Sequence, residues 1–283
     1  MLIADLCYPY LRQPQLLPSL PATGTVWGIA YLNEKLHVIC EKSADVCIYN
    51  ATSPGYPFLK KVQIKQLKRA RDIAACYDNE LIYIAADSCV WRLAAAYENI
   101  SIFAPNNDSP DTIFPWSISV SEGRLLVTPK EGNELFVYLP HGALLRRVVL
   151  PSFMRALHAV EGFGGSFVIC HIGYRERRRQ HHQITIVDQA GRVMGFYGDR
   201  SGSEQHQLNK PYYLARGEDG KIFAADFNND RVLLFDADLN LECVIPASNK
   251  PRRLCFVPEF GQLIIGQLDS SLIELYRLVA NAS

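Results

Sequence analysis

The sequence predicts an all-β fold, a six-bladed β-propeller whose blades each contain four strands. Six segments begin alike, and each is followed by further short β-rich stretches with polar turns between them. The segments are VWGIAYLNEKLHVI, ARDIAACYDNELIYIA, PWSISVSEGRLLVT, MRALHAVEGFGGSFVI, PYYLARGEDGKIFAA and PRRLCFVPEFGQLII. Repeats of about 40 to 45 residues with four strands and no helical period are typical of propeller blades.

The strands of each repeat follow from its pattern. An apolar anchor marks the innermost strand, and the anchors are Ile29, Ile73, Ile118, Leu157, Leu214 and Leu254, separated by 44, 45, 39, 57 and 40 residues. A glycine or polar turn leads to the second strand, and an alternating stretch such as ELFVYL or RVLLFD supplies the third. More polar stretches such as FLKKVQI and LLRRVVL supply the fourth.

The six repeats form one closed domain over residues 1–283. We place the blades at about 25–66, 69–105, 113–150, 154–198, 208–246 and 249–278. The last repeat stops after its third strand at Leu278, which leaves one sheet edge unpaired. We therefore expect the stretch between Gln13 and Leu20, which belongs to no repeat, to close the ring as the outer strand of the sixth blade.

Composition narrows the function classes. Lys and Arg total 29 and Asp and Glu total 29, so the net charge is zero and gives no overall attraction to nucleic acid or to an anionic membrane. No apolar run approaches the roughly 20 residues of a membrane span, and the first residues lack the basic start of a signal peptide. We expect a cytoplasmic monomer that uses no cofactor and keeps its eight cysteines reduced. Secretion is the alternative, because four N-x-S/T acceptor patterns begin at Asn50, Asn99, Asn107 and Asn281.

The fifth repeat carries a family resemblance. It reads Gln207-Leu208-Asn209-Lys210-Pro211, then Asp219-Gly220, then Asp226, Asn229 and Arg231 in a D-x-x-N-x-R arrangement. These motifs resemble the NHL repeat, and the other five repeats resemble it only in pattern. The resemblance implies a six-bladed propeller of the kind found in TRIM-NHL proteins, where such domains bind protein or RNA. The RING and B-box modules of those proteins are missing here, so a ubiquitin ligase activity of this chain is not supported.

A ring of candidate binding residues follows from the repeat. The residues two positions before the anchors should share one face, at the mouth of the central channel, and they are Trp27, Arg71, Trp116, Arg155, Tyr212 and Arg252. Trp, Tyr and Arg dominate interface energetics, and the arginines suit carboxylates or phosphates while the rings suit single-stranded RNA. Packing between blades is the alternative interpretation.

A basic segment is predicted on the same face. In YRERRRQHH, between the second and third strands of the fourth repeat, four arginines cluster: Arg175, Arg177, Arg178 and Arg179. We include them in the predicted partner-binding surface, with an ordinary solvated loop as the alternative.

Enzyme signals are weak. Propeller hydrolases resembling gluconolactonases hold Ca²⁺ with oxygen ligands at the channel mouth, and the six ring positions offer none. The lyase domain of peptide-amidating enzymes also resembles NHL propellers, and it binds zinc through histidines from separate blades. His37, His158 and His171 are therefore candidate zinc ligands. Cys170 and His171 with His181 and His182 form a second possible set. We predict a non-catalytic module that binds a protein or peptide, with RNA as second choice and a metal-assisted hydrolase or lyase as the alternative from another class.

Overall fold

The computed structural model describes residues 14–41, 43–53, 55–104, 113–175 and 179–278, which form six antiparallel sheets of four strands each. The first blade contains β2 (Val26–Leu32), β3 (Lys35–Cys40), β4 (Asp45–Asn50) and β5 (Phe58–Gln63). The second contains β6 (Ala70–Cys76), β7 (Leu81–Ala86), β8 (Cys89–Ala94) and β9 (Ser101–Ala104). The third contains β10 (Pro115–Ser121), β11 (Arg124–Pro129), β12 (Glu134–Tyr138) and β13 (Leu144–Val149). The predicted propeller is therefore confirmed.

The remaining three blades repeat this order. The fourth contains β14 (Met154–Glu161), β15 (Phe167–Arg175), β16 (Arg179–Val187) and β17 (Val193–Tyr197). The fifth contains β18 (Pro211–Arg216), β19 (Ile222–Asp226), β20 (Arg231–Phe235) and β21 (Leu241–Pro246). The sixth contains β22 (Pro251–Val257), β23 (Gln262–Gln267), β24 (Leu272–Arg277) and β1 (Gln15–Pro21). Short 3₁₀ turns lie at Phe163–Gly165, Glu218–Gly220, Phe227–Asn229 and Pro258–Phe260.

The ring is closed by the N-terminal strand, as the sequence predicts. β1 pairs antiparallel with β24, from Gln15 opposite Arg277 to Pro21 opposite Leu272. Leu20 is buried and packs with Ile273 in the apolar cluster between the sixth and first blades. The strand therefore covers the edge of the last sheet and adds an apolar anchor to it.

The hydrophobic core lies between the blades. Each of six apolar clusters draws its residues from two neighbouring blades, as Leu32, Ile39, Ile73 and Ile84 do between the first and second. Both faces of each sheet are covered, which accounts for the nearly continuous apolar character of the inner three strands.

A β-bulge near the start of each innermost strand shapes the channel. In five blades the pairing with the second strand skips one residue, and the skipped residues are Trp27, Arg71, Trp116, Tyr212 and Arg252. In the fourth blade the skipped residue is Leu157, because Ala156 pairs with His171 and His158 pairs with Cys170. The predicted equivalence of Arg155 with the other five ring residues is therefore wrong by two positions, and Leu157 takes that place.

The described cysteines are all free thiols. Five of them are buried, and Cys89 and Cys255 are half-buried, while Cys7 lies outside the described residues. Burial raises the pKa of Cys255 to about 12 and holds the pKa of Cys170 far above its ordinary value. Among the described residues, no helix has the length and apolar character that crossing a bilayer demands.

Candidate functional site

The mouth of the channel is covered by aromatic rings and guanidinium groups from five blades. Trp27 and Trp116 meet edge to face with ring centroids 6.4 Å apart. The guanidinium carbon of Arg71 lies 5.3 Å from the Trp116 ring centroid, and that of Arg252 lies 3.9 Å from the Trp27 centroid. We call these three residue pairs, together with Tyr212, the mouth cluster: Trp27, Arg71, Trp116, Tyr212 and Arg252.

Arg252 is the most enclosed cation of the mouth cluster. Its guanidinium carbon also lies 5.4 Å from the Tyr212 ring centroid, so the group stacks between two aromatic residues. Arg252 is 5% exposed and Tyr212 is 7% exposed, whereas Trp27, Arg71 and Trp116 are half-buried. Burial, and then repulsion from the neighbouring Arg253, lower the pKa of Arg252. Arg252 and Tyr212 therefore pack inside the cluster, whereas Trp27, Arg71 and Trp116 are partly exposed to solvent.

Arg155 of the fourth blade lies outside this cluster. Arg155 is exposed and lies two residues before the bulge, opposite Ile172. Arg175 ends β15 and Arg179 begins β16, and these two strand ends lie on the same side of the blade as the start of β14, which is the side of the mouth. Arg177 and Arg178 lie outside the described residues.

A buried polar plug fills the channel directly beneath the mouth cluster. It is built from the residues that follow the bulges, and its anion is the fully buried Asp72. Oδ1 of Asp72 accepts from the Ile73 N–H and Oδ2 accepts from the Ile118 N–H, both at 3.0 Å. The Tyr213 hydroxyl donates to the same carboxylate at 3.1 Å. Burial raises the pKa of Asp72 to about 6, while Arg253 and these donors oppose the shift.

The cation of the plug is Arg253, which is 1% exposed. Its Nε lies 3.4 Å from Oδ1 of Asp72 and donates to the Trp27 carbonyl at 2.6 Å. One terminal nitrogen donates to the Arg71 carbonyl at 2.8 Å and the other to the Arg252 carbonyl at 3.1 Å. A single guanidinium therefore ties the first, second and sixth blades together across the channel.

His158 completes the plug on the opposite side. Its ring stacks on Tyr213 with centroids 3.7 Å apart, and its Nδ1 accepts the Leu214 N–H at 3.2 Å. Its Nε2 lies 3.4 Å from the Ile118 carbonyl, so the neutral ring carries its proton on Nε2. Burial and the nearby Arg253 cation lower the pKa of His158 to about 3.

Sequence reasoning missed this plug, although a signal for it exists. Asp72 and Arg253 are opposite charges at the same place in two repeats, each directly before an apolar anchor. A charge inside an innermost strand must find a partner when the ring closes, because an unpaired buried charge is costly.

The motif residues of the fifth blade hold a loop in place. The buried Asp226 accepts from the Asn209 N–H at 2.7 Å, from Asn229 at 2.7 Å and from Arg231 at 2.8 Å. Arg231 also donates to the Ser203 and Gln207 carbonyls, at 3.1 and 2.9 Å. The D-x-x-N-x-R set thus fastens the segment before β18 to the sheet, close to Tyr212.

The candidate metal ligands do not converge. His158 and His171 belong to the same blade and are committed to other contacts, since Nε2 of His171 lies 2.8 Å from Oγ1 of Thr185. His37 lies in the first blade, 2.9 Å from the Tyr97 hydroxyl, and burial lowers its pKa to about 4. Nδ1 of His182 accepts the Lys210 N–H at 2.8 Å. Within the described part of the chain, no three His, Cys, Asp or Glu side chains are grouped to hold a metal ion.

The other end of the channel is open. A cavity of about 240 Å³ lies below the plug and is walled mainly by apolar residues of all six innermost strands, which include Ile29, Ile73, Ile118, Val160, Leu214 and Leu254. Tyr31 and Tyr77 stand at its rim with ring centroids 6.3 Å apart. His158 and Tyr213 form part of its lining.

Comparisons with known proteins support the fold. The sequence matches no protein-family model and no curated protein sequence, so membership of the NHL family stays a prediction. The chain is similar to the WD40 β-propeller domain of Doa1, with TM-score 0.62, 13% identity and coverage of 93% of this chain and 96% of that one.

Two lyases have a similar fold. A streptogramin B lyase aligns with TM-score 0.64 and 12% identity over 96% of this chain and 99% of that one. Virginiamycin B lyase from Staphylococcus aureus aligns with TM-score 0.60 and 14% identity, over 94% of this chain and all (100%) of that one. At such identities the likeness establishes a shared propeller fold, which is found both in a WD40 domain and in lyases.

Proposed function

We propose that the chain is a non-catalytic interaction module that binds a protein or peptide partner at the channel mouth. The observation that carries the proposal is the mouth cluster, in which five blades contribute Trp, Tyr and Arg side chains to one surface. These residue types supply most of the binding energy in protein interfaces. Trp27, Arg71 and Trp116 keep part of their surface free for contact.

Binding of a partner fits the residues at the channel mouth better than catalysis does. The ionisable groups beneath the mouth are committed to one another, with Asp72 paired to Arg253 and His158 fixed between Leu214 and Ile118. The mouth cluster lies over them. A metal-assisted hydrolase or lyase stays the alternative because two structures of similar fold are lyases, but it needs converging ligands, which the described histidines do not supply.

Site-specific photocrosslinking tests the proposal. A benzoylphenylalanine residue is placed at position 155 beside the mouth, and in a matched variant at position 192, which lies in the exposed turn between the third and fourth strands of the same blade and so on the opposite face. Irradiation in extract of the native cell is followed by mass spectrometry. We expect a protein adduct from position 155 that position 192 does not give. The same adducts from both positions, or adducts to nucleic acid alone, would contradict the proposal.

A further inference from the structure

The arginines at the mouth have no carboxylate partners. Among the described residues, no carboxylate oxygen lies within 4.0 Å of a nitrogen of Arg71, Arg155 or Arg252, whereas Arg253 and Arg231 are paired with Asp72 and Asp226. Arg252 is the extreme case, because its charge is almost fully removed from water, and the favourable interactions that reach it come from the Tyr212 side chain and from the charge of Glu41, with which it forms no ion pair. A desolvated cation is unfavourable unless an opposite charge or several acceptors compensate it.

Two buried hydrogen-bond donors of the mouth cluster also lack acceptors. Nε1 of Trp27 and Nε of Arg252 are both buried, and neither has a hydrogen-bond partner among the described residues. They belong to the stacked pair whose guanidinium carbon and ring centroid are 3.9 Å apart. Buried donors are almost always satisfied, so these two donors of one stacked pair are available to acceptor atoms of a bound molecule.

One face of each aromatic ring, by contrast, is already in use. Arg252 lies over the Trp27 ring, Arg71 lies over the Trp116 ring, and Tyr212 packs against Phe227 with centroids 5.3 Å apart. Single-stranded RNA is held largely by bases stacked on free aromatic faces. The mouth therefore favours ligands that bind cations and donors over ligands that need several free stacking surfaces.

We propose that the mouth recognises carboxylate groups, and that the partner presents them on a segment rich in Asp and Glu. This inference rests on the proposed function, which it narrows to acidic protein segments. Carboxylates accept two parallel hydrogen bonds from a guanidinium and would supply both the missing charge and the missing acceptors. Arg71 and Arg155 extend the cationic surface outward, so that neighbouring acidic side chains of one segment each meet an arginine.

Binding of defined probes tests this inference. The probes are fluorescein-labelled hexaglutamate with an amidated C-terminus, amidated hexaglutamine, hexaglutamine with a free C-terminus, and hexauridylate RNA, each followed by fluorescence anisotropy. We expect hexaglutamate to bind more than tenfold tighter than each of the other three, with an affinity that falls as salt rises. Tight binding of free-acid hexaglutamine would instead indicate recognition of a chain terminus, and tighter binding of hexauridylate would indicate a nucleic-acid site. Either result overturns the inference.

Matched variants locate the binding. Arg71→Gln and Arg155→Gln each remove one charge from the mouth side, and Arg192→Gln removes one from the opposite face, where Arg192 is exposed and paired with Asp188. We expect each mouth variant to weaken hexaglutamate binding at least fivefold and the Arg192 variant to change it less than twofold. Equal effects of all three variants would show that binding depends on the total charge of the protein and not on the mouth, and would overturn the inference.

A further readout ties the probe to the stacked pair. In a Trp91→Phe background the remaining tryptophans are Trp27 and Trp116, both in the mouth cluster. Hexaglutamate should change their fluorescence, and an unchanged spectrum at saturation would place the peptide elsewhere.

Failure of this inference is distinguishable from failure of the proposed function. If position 155 crosslinks to a protein that hexaglutamate does not displace, the partner binds the mouth through other chemistry, and only the inference falls. If no protein crosslinks selectively from position 155, the proposed function falls whatever hexaglutamate does.

Discussion

The two ends of the central channel are built from the same six innermost strands but have opposite character. At the mouth, bulges place Trp, Tyr and Arg side chains together, and the plug beneath them joins residues of all six blades through Asp72, Arg253 and His158. At the other end the same strands present mainly Ile, Leu, Val and Ala around a cavity of about 240 Å³. The charged network that reaches all six blades lies at the mouth end, whereas the other end has local polar links, such as the Arg124–Glu161 ion pair at 2.6 Å and the hydrogen bond from Arg216 to Ser121. We therefore expect the molecule to respond very differently to changes at the two ends.

The largest effect is expected from breaking the plug. Asp72→Ala removes the only carboxylate that lies within 4.0 Å of Arg253 in the described part of the chain and leaves a buried cation, which should lower the free energy of unfolding by about 3 to 5 kcal/mol. Urea denaturation measures it. The double variant Asp72→Leu with Arg253→Met should lose less than Asp72→Ala alone, since neither charge is then stranded. Equal losses would show that the pair is not coupled.

Two buried histidines, His158 of the plug and His37 beside Tyr97, should also make stability depend on pH. His158 and His37 have folded-state pKa values lowered to about 3 and about 4, so they stay neutral in the folded chain while they protonate near 6.5 in the unfolded chain. Their contribution to stability is complete above pH 6.5 and is lost as the pH falls, at up to about 1.4 kcal/mol per pH unit for each histidine. Asp72, whose pKa is raised, acts in the opposite direction between about pH 4 and 6 and removes part of this loss.

We therefore expect the free energy of unfolding to fall by about 2 kcal/mol between pH 7 and pH 5. Denaturation across this range in wild type, His158→Gln and His37→Gln measures it. A slope that neither substitution flattens would assign the pH dependence to other groups.

Buried and exposed arginines on the mouth side should differ in their contribution to stability. Arg252→Ala removes a guanidinium stacked on Trp27 and Tyr212 and should lower the free energy of unfolding by about 2 kcal/mol. Arg155→Ala removes an exposed side chain and should change it by less than about 0.5 kcal/mol. Thermal melts of both variants compare them directly. Equal losses would mean that Arg155 is packed against the mouth after all.

The smallest effects concern one or two added carbon atoms. A Cβ on Gly28, at the level of the plug, would lie 2.8 Å from the backbone nitrogen of Ile73, so Gly28→Ala should lower the free energy of unfolding by about 1 to 2 kcal/mol. Ala75→Val adds two methyl groups beside the open cavity and should change it by less than about 0.5 kcal/mol. Equal losses in the two variants would mean that both ends are equally crowded.

Much of the fold could be predicted because an apolar anchor residue marks the innermost strand of each repeat. The strand between Gln13 and Leu20 was identifiable from an unpaired edge in the last repeat, and the structure places β1 at Gln15–Pro21. The fourth blade shows where the pattern fails. The run MRALHAV is apolar at several successive positions, so the pattern could not reveal that the bulge falls at Leu157 rather than at Arg155.

The plug could be predicted only in part, since its partners are far apart in the chain. Asp72 and Arg253 meet only because blades two and six face the same channel once the ring is closed. Because Asp72 and Arg253 occupy equivalent positions in their repeats, they are expected at the same depth in the channel. The stacking of His158 on Tyr213, however, depends on a bulge that the sequence does not show.

The pairing of β1 with β24 has a consequence for biosynthesis. β1 leaves the ribosome long before its partner strand, because the other five blades and two strands of the sixth lie between them in the chain, so β1 stays without its sheet until β24 has been made. Contacts between such distant segments form slowly and leave strand edges exposed to other chains. A polypeptide released before Leu272 therefore lacks the strand that receives β1, and it presents both an unpaired β1 and an unpaired last sheet to the quality-control machinery of the cell.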